Sequence, residues 1–235
     1  MKILIIVPAY NEEGNLPKLL TELKGYHGRY EVVVVDDASL DQTAQAARSC
    51  GVPVIRLAAN LGIGGAVQTG FKYALRNGYD IAVQIDGDGQ HDPTWIEALI
   101  EPIEKGQADC VIGSRYMGDH PDRSYETPVA RRMGMHFSTG LLYLATGVRI
   151  TDTTSGMRAL NRRAFEFFAQ DYPVDHPEAE ALLMLLHNGF RLKEIPVKMR
   201  GRKTGHSSFT LIPSVLYPFR ITVGFLGILL RAKRK

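Results

Sequence analysis

Cysteine is scarce in these 235 residues; there are two, Cys50 and Cys110. Two thiols cannot build a disulfide framework, so both read as structural thiols of a reducing compartment. Charge of one sign is lacking as well. A formal net charge of +3, with no basic strand interleaved with aromatics, gives no reason to expect nucleic acid as a partner. Long hydrophobic runs are missing. Five apolar residues separate Lys2 from Pro8, too few for a secretory signal and well explained as a first strand. Near the C-terminus the uncharged stretch 221–230 has ten residues, about half of the ~20 that span a bilayer. No Gly-x-Gly-x-x-Gly follows the first strand. That turn is Ala9-Tyr-Asn-Glu-Glu13, whose carboxylates would repel a pyrophosphate, which excludes the usual nicotinamide-dependent dehydrogenase. Repeats and low-complexity tracts are absent.

What is present is alternation. Apolar, β-branched runs at 2–7, 30–35, 52–57, 81–85 and 109–113 read as strands. Between them, 15–24, 42–49, 64–76 and 93–105 read as helices, with Asn15 as a candidate cap, Gly78 as a stop and Pro93 as a start. The βαβα rhythm predicts an α/β fold: a Rossmann-like, mostly parallel central sheet with helices on both faces. Ligands of such sheets bind beyond the carboxyl ends of the strands. Those ends carry Pro8 to Glu12, Asp36-Asp37-Ala-Ser39, Asn60, Asp86 with Asp88, and Ser114-Arg115. The second half reads as helices over 128–147, 162–169 and 178–188, a polar loop 151–156, a strand over 191–197 and a basic loop 200–208.

The most informative segment is Ile81-Ala-Val-Gln-Ile-Asp-Gly-Asp-Gly-Gln-His-Asp92. An apolar strand stops at two carboxylates two residues apart, which extended backbone points to one side. Like charges so close repel unless a cation lies between them. Asp86, Asp88 and Gln90 offer only oxygen, which suits Mg2+ or Mn2+ rather than zinc. Gly87 and Gly89 leave room for a bulky ligand, and a metal–diphosphate site is the reading. The competing reading is a turn, in which Asp bonds its own backbone and glycine supplies positive φ.

Taken in order, Pro8-Ala-Tyr-Asn-Glu12, Val35-Asp-Asp-Ala-Ser-Leu-Asp41, Asn60-Leu-Gly-Ile-Gly64, Asp86-Gly-Asp-Gly-Gln90 and Gly113-Ser-Arg115 resemble glycosyltransferase family 2, which has the GT-A fold. Asp152-Thr-Thr-Ser-Gly-Met-Arg158 and Arg202-Lys-Thr-Gly-His-Ser207 resemble its dolichol-phosphate mannosyltransferase-like branch. The resemblance implies an inverting, metal-dependent sugar transfer from a nucleotide-diphosphate sugar, GDP-mannose or UDP-hexose. The acceptor it implies is lipid-linked, a polyprenyl phosphate or a lipid-linked saccharide in cell-surface polysaccharide or glycoconjugate synthesis. It places Pro8, Tyr10, Glu12, Asp37, Gly64, Asp86 and Gly87 on the nucleotide sugar, and Asp86, Asp88 and Gln90 on a divalent Mg2+ or Mn2+. Asp88, Asp152, Glu180, Arg115 and Arg202 are the candidate catalytic residues. Arg115, with Arg131 or Arg202, would meet diphosphate charge, and Asp152, Glu178 or Glu180 would take a proton if the acceptor is a hydroxyl. The late loop departs from the branch: Gly205-His-Ser-Ser208 stands where Gly-x-Ser-Lys is usual. A nucleotidyltransferase that makes nucleotide sugars is the alternative.

Residues 1–210 are expected to form one GT-A domain, with a nucleotide-sugar half, 1–115, and an acceptor half, 116–210. Residues 211–235 form an amphipathic, basic segment ending in Arg231-Ala-Lys-Arg-Lys235, which fits an interfacial helix. A cytoplasmic protein peripheral to the membrane's cytoplasmic face is expected, with homo-oligomerisation through the same segment as a further possibility.

Overall fold

The computed structural model describes residues 1–26, 28–117, 129–173, 177–201 and 211–231, without the side chains of 129–133 and 211–217. In chain order the elements are β1 (Ile3–Ala9), α1 (Leu16–Lys24), β2 (Glu31–Asp36), α2 (Thr43–Ser49), β3 (Val54–Arg56), α3 (Gly62–Arg76), β4 (Ile81–Gln84) and α4 (Ile96–Glu104). There follow β5 (Cys110–Ser114), α5 (Val129–Thr146), β6 (Arg158–Asn161), α6 (Arg162–Gln170), α7 (Pro177–His187), β7 (Leu192–Pro196) and α8 (Leu211–Leu229).

The sheet has seven strands in the order β3-β2-β1-β4-β6-β5-β7. Every pairing is parallel except the two made by β6. Since β6 reverses between β4 and β5, the other six strands deliver their carboxyl ends to one edge, and β6 brings its amino end there, with Arg158 opposite Gln84. The α/β, mostly parallel expectation holds. Alternate residues of β1 feed opposite cores, because successive side chains leave opposite faces. Ile3, Ile5 and Val7 meet Leu16, Leu20, Leu99 and Ile100 of α1 and α4. Leu4 and Ile6 meet Phe71, Phe165, Leu182 and Phe225 of α3, α6, α7 and α8. Gly70 of α3 lets that helix close on the sheet, since a Cβ there would lie 2.3 Å from Ile6.

Two details differ from the sequence reading. Asn15 stands at the start of α1 but caps nothing; its amide donates to the Glu12 carboxylate at 2.6 Å. Strand β6 was not legible as a strand, being four residues with polar ends. The C-terminal helix spans Leu211–Leu229 and runs through Pro218. Pro218 removes one backbone bond, and burial of Ile221, Phe225 and Ile228 offsets it. No helix among the described residues is long and apolar enough to cross a membrane.

Candidate active site

The loops after β1 and β2 are locked together. Asn11 donates its N–H to Ser39 Oγ at 3.0 Å and accepts from the Leu40 N–H at 2.8 Å. The Glu12 N–H donates to Thr43 Oγ1 at 2.8 Å. This interlock holds Asn11 and Ala38 at φ 55° and 58°, a left-handed conformation that costs non-glycine residues about 1–2 kcal/mol and gathers at ligand clamps. Asp36 is fully buried, accepting from the Ser39 N–H and facing Arg56 at 3.3 Å. Asp37 Oδ1 accepts from the Leu61 N–H at 2.7 Å and so fixes the entry to α3, where Gly64 is buried in the first turn. Tyr10 remains 43% exposed, so a ring face is open at this rim. Pro8 at the end of β1, Tyr10, Glu12 and Asp37 in the loops, and Gly64 in the first turn of α3 thus lie at one edge of the sheet.

The Asp86–Asp92 loop follows β4. Its Gly87 N–H donates to the Pro8 carbonyl at 3.1 Å. A Cβ on Gly87 would sit 3.0 Å from that oxygen. Strand β1 is therefore a close neighbour that favours glycine at this position. Gly89 has φ 72° and supplies the turn. The Asp86 N–H donates to His91 Nδ1 at 3.0 Å, and the Gln90 N–H to Asp88 Oδ1 at 3.0 Å. The turn chemistry offered as the competing reading is therefore present in these residues. Among the described residues no three His, Cys, Asp or Glu side chains gather to hold an ion. Asp86 and Asp88 line different cavities; as hard oxygen donors, the two carboxylates and the Gln90 amide would suit Mg2+ or Mn2+ sharing ligands with a diphosphate.

Over Asp86 lies a strap, residues 152–157. A Cβ at Gly156 would stand 2.2 Å from Asp86 Oδ2, so glycine lets the strap close with that carboxylate where it is. Asp86, Gln84, Gly156, Arg158, Glu178 and Ile63 line one cavity. Arg158 is buried and donates to three main-chain carbonyls, those of Ser155, Thr153 and Glu178. It thereby staples the strap to the start of α7. Arg115 and Asp152 are both buried and form a two-bond fork, 2.7 Å and 2.7 Å. Burial would raise the Asp152 carboxyl, but the Arg115 guanidinium outweighs it and holds the acid below its usual range. As a proton acceptor Asp152 must leave this fork, and Arg115 meets it before any diphosphate. Glu180 is buried and faces α8, where a Cβ at Gly224 would lie 2.2 Å from its Oε1. The carboxylate residue that shares the cavity with Asp86 is Glu178. Arg202 and the Arg131 side chain lie outside the described residues.

No role for Gln84, His91, Gly156 or Arg158 follows from the sequence alone, although all four lie in its motifs. Their signals were weak: a polar residue inside an apolar strand for Gln84, and a polar start to an otherwise apolar strand for Arg158.

Residues 4–168 match the profile of Glycosyl transferase family 2. The chain is 33% identical over 225 residues to an undecaprenyl-phosphate mannosyltransferase of Micrococcus luteus, covering 89% of this chain and 88% of that one. It is 31% identical over 215 residues to a UDP-N-acetylglucosamine–dolichyl-phosphate N-acetylglucosaminyltransferase of Methanococcus voltae, covering 83% and 84%. Glucosyl-3-phosphoglycerate synthase of Mycobacterium tuberculosis, crystallised with Mn2+, UDP and phosphoglyceric acid, shares the fold. Its TM-score is 0.74 at 17% identity, over 99% of this chain and 80% of that one. These matches favour glycosyl transfer over nucleotidyl transfer. With its ordered motifs on one sheet edge, the chain belongs to glycosyl transferase family 2, in the branch similar to dolichol-phosphate mannosyltransferases.

Proposed function

We propose that this glycosyltransferase moves a sugar, with inversion, from a nucleotide-diphosphate sugar to a lipid-linked acceptor at a membrane surface. One observation carries the reading. The wall of the cavity that holds Asp86 is completed by the strap, the α3 start and the α7 start, so donor loops and acceptor-half residues face one space. Tyr10, Glu12 and Asp37 would hold base and ribose, and Gly64 lets the chain approach at the α3 start, where helix N–H groups favour phosphate. Asp86, Asp88 and Gln90 would hold Mg2+ or Mn2+. When bound, such an ion supplies Lewis-acid neutralisation of diphosphate charge without proton transfer. Arg115 and Asp152 would shape the strap, and Arg202 would add charge from the late loop. The names of the two relatives support a polyprenyl-phosphate acceptor, which is already an anion and needs no general base. A hydroxyl acceptor needs a carboxylate; Glu178 lines the cavity with Asp86, whereas Glu180 is turned toward α8.

Membrane contact is supported by an apolar stripe. Phe219, Val223, Leu226 and Leu230 are exposed at helical spacing on or beside α8, and Phe137 and Leu144 are exposed on the adjoining α5. Arg220 and Arg231 stand among them.

Thermal unfolding with UDP, GDP, CMP and dTDP sugars, with Mn2+, Mg2+ or EDTA, tests the proposal. A cognate donor at 100 times its Kd stabilises by about 2.7 kcal/mol, and the shift should need metal. Asp88→Asn should keep the fold and lose that shift, with turnover down about 100-fold or more. Normal turnover in Asp88→Asn would overturn the metal assignment.

A further inference from the structure

The Asp86–Asp92 loop does not rest on the core along its length. Asp88 and Gly89 arch over a cavity of about 190 Å³, whose other walls are Asn15, Lys18 and Glu22 of the α1 region and Arg200. Where Asp88 and Gly89 border this cavity the loop has fewer packing contacts, which leaves more of its placement to its tethers. Two of those tethers are internal, His91 Nδ1 to the Asp86 N–H and Asp88 to the Gln90 N–H. One external tether is the Gly87 N–H to the Pro8 carbonyl of β1; the others come from the chain just after β7. Met199 forms an antiparallel bridge with His91, and the Arg200 N–H donates to the Gln90 carbonyl at 2.8 Å. The Arg200 guanidinium then divides between two carboxylates, Glu22 of α1 at 2.5 Å and Asp92 at 3.1 Å. Asp92 in turn caps the short 3-10 turn that leads into α4, accepting from the Thr94 N–H.

We propose that Arg200 is a positioning residue that clamps the Asp86–Asp92 loop to α1 and so sets the coordination geometry offered by Asp88 and Gln90. It touches neither the reacting atoms nor the metal. Its main chain fixes the middle of the loop and its side chain fixes the end. It also stands two residues before Arg202, so the metal loop and the root of the basic loop share one anchor. As a half-exposed ion pair it adds little to global stability. Its effect should therefore appear in metal binding, where outer groups that orient ligands are worth about 10- to 100-fold. The inference rests on the metal–nucleotide reading of this loop.

The test is Mn2+ affinity, read by electron paramagnetic resonance on the full chain with the nucleoside diphosphate that stabilises the wild type. Arg200→Met should weaken Mn2+ binding about 10- to 100-fold with a nearly unchanged midpoint of unfolding. Arg200→Lys should recover part of it, since one ammonium cannot span both carboxylates as a guanidinium fork does. Glu22→Gln, which releases only the α1 end, should show a smaller loss in the same direction. Wild-type Mn2+ affinity in Arg200→Met overturns the clamp and leaves the metal reading standing. If Arg200→Met does not fold, wild-type affinity in Glu22→Gln overturns it instead. No Mn2+ binding by the wild type with any nucleotide overturns the underlying reading, and the clamp with it.

Discussion

Gly156→Ala should separate the position of the Asp86 carboxylate from the stability of the fold. The new methyl would stand 2.2 Å from Oδ2 and 2.8 Å from both Cγ and Oδ1. Non-bonded heavy atoms settle near 3.5–4.0 Å, so the carboxylate must retreat by roughly 1 Å. It has somewhere to go, because the Asp86 side chain is 34% exposed and faces a cavity. The fold should therefore lose only the lower part of the ~1–3 kcal/mol typical of overpacking, a few degrees in Tm. Catalysis should suffer more, since displacement of a positioned group by ~1 Å can cost about 100-fold. The assays are kcat/KM with the cognate donor, Mn2+ affinity in the nucleotide complex, and thermal unfolding. Gly140→Ala is the control: it is an exposed helical glycine with nothing within 4 Å of its Cβ, and alanine there should stabilise slightly. Turnover and Mn2+ affinity equal to wild type in Gly156→Ala would refute the claim that Asp86 is placed by contact with the strap.

Two further outcomes are expected. Asp152→Asn strands the buried Arg115 without its carboxylate and should cost about 3–5 kcal/mol at neutral pH, measured by denaturant unfolding. Because the folded Asp152 sits below its ordinary range, its stabilisation is present above the unfolded value near 3.9 and is lost as pH falls through the folded one. The wild type should thus lose stability below about pH 4 more steeply than the variant, and parallel curves would contradict the pairing. Phe219→Glu and Leu226→Glu, at positions 71% and 55% exposed, should weaken sedimentation with anionic vesicles and leave Tm unchanged. Deleting 211–235 is the poorer test, because Ile221, Phe225 and Ile228 belong to the core.

Much of this protein is written locally. Apolar strands such as 3–7 and, but for Gln84, 81–85 declare a buried parallel sheet, since only strands covered on both faces dispense with alternation. Such a sheet sends its polar strand ends to one edge, and the Asp86-Gly-Asp-Gly-Gln90 string and the Pro8 to Glu12 turn were readable there before any coordinates. Tertiary structure decided what those residues face. Strand β6 is four residues long and antiparallel, and nothing in its periodicity declares it, yet its insertion beside β4 brings the strap and Arg158 over Asp86. The pairing of Arg115 with Asp152, 37 residues apart, the turn of Glu180 toward Gly224, and the reach of Arg200 to Glu22 across 178 residues are contacts between distant segments. Residue spacing along a chain encodes which face of its own helix or strand a side chain takes. It does not encode which other element that face will meet, and this is why the edge was legible and its wiring was not.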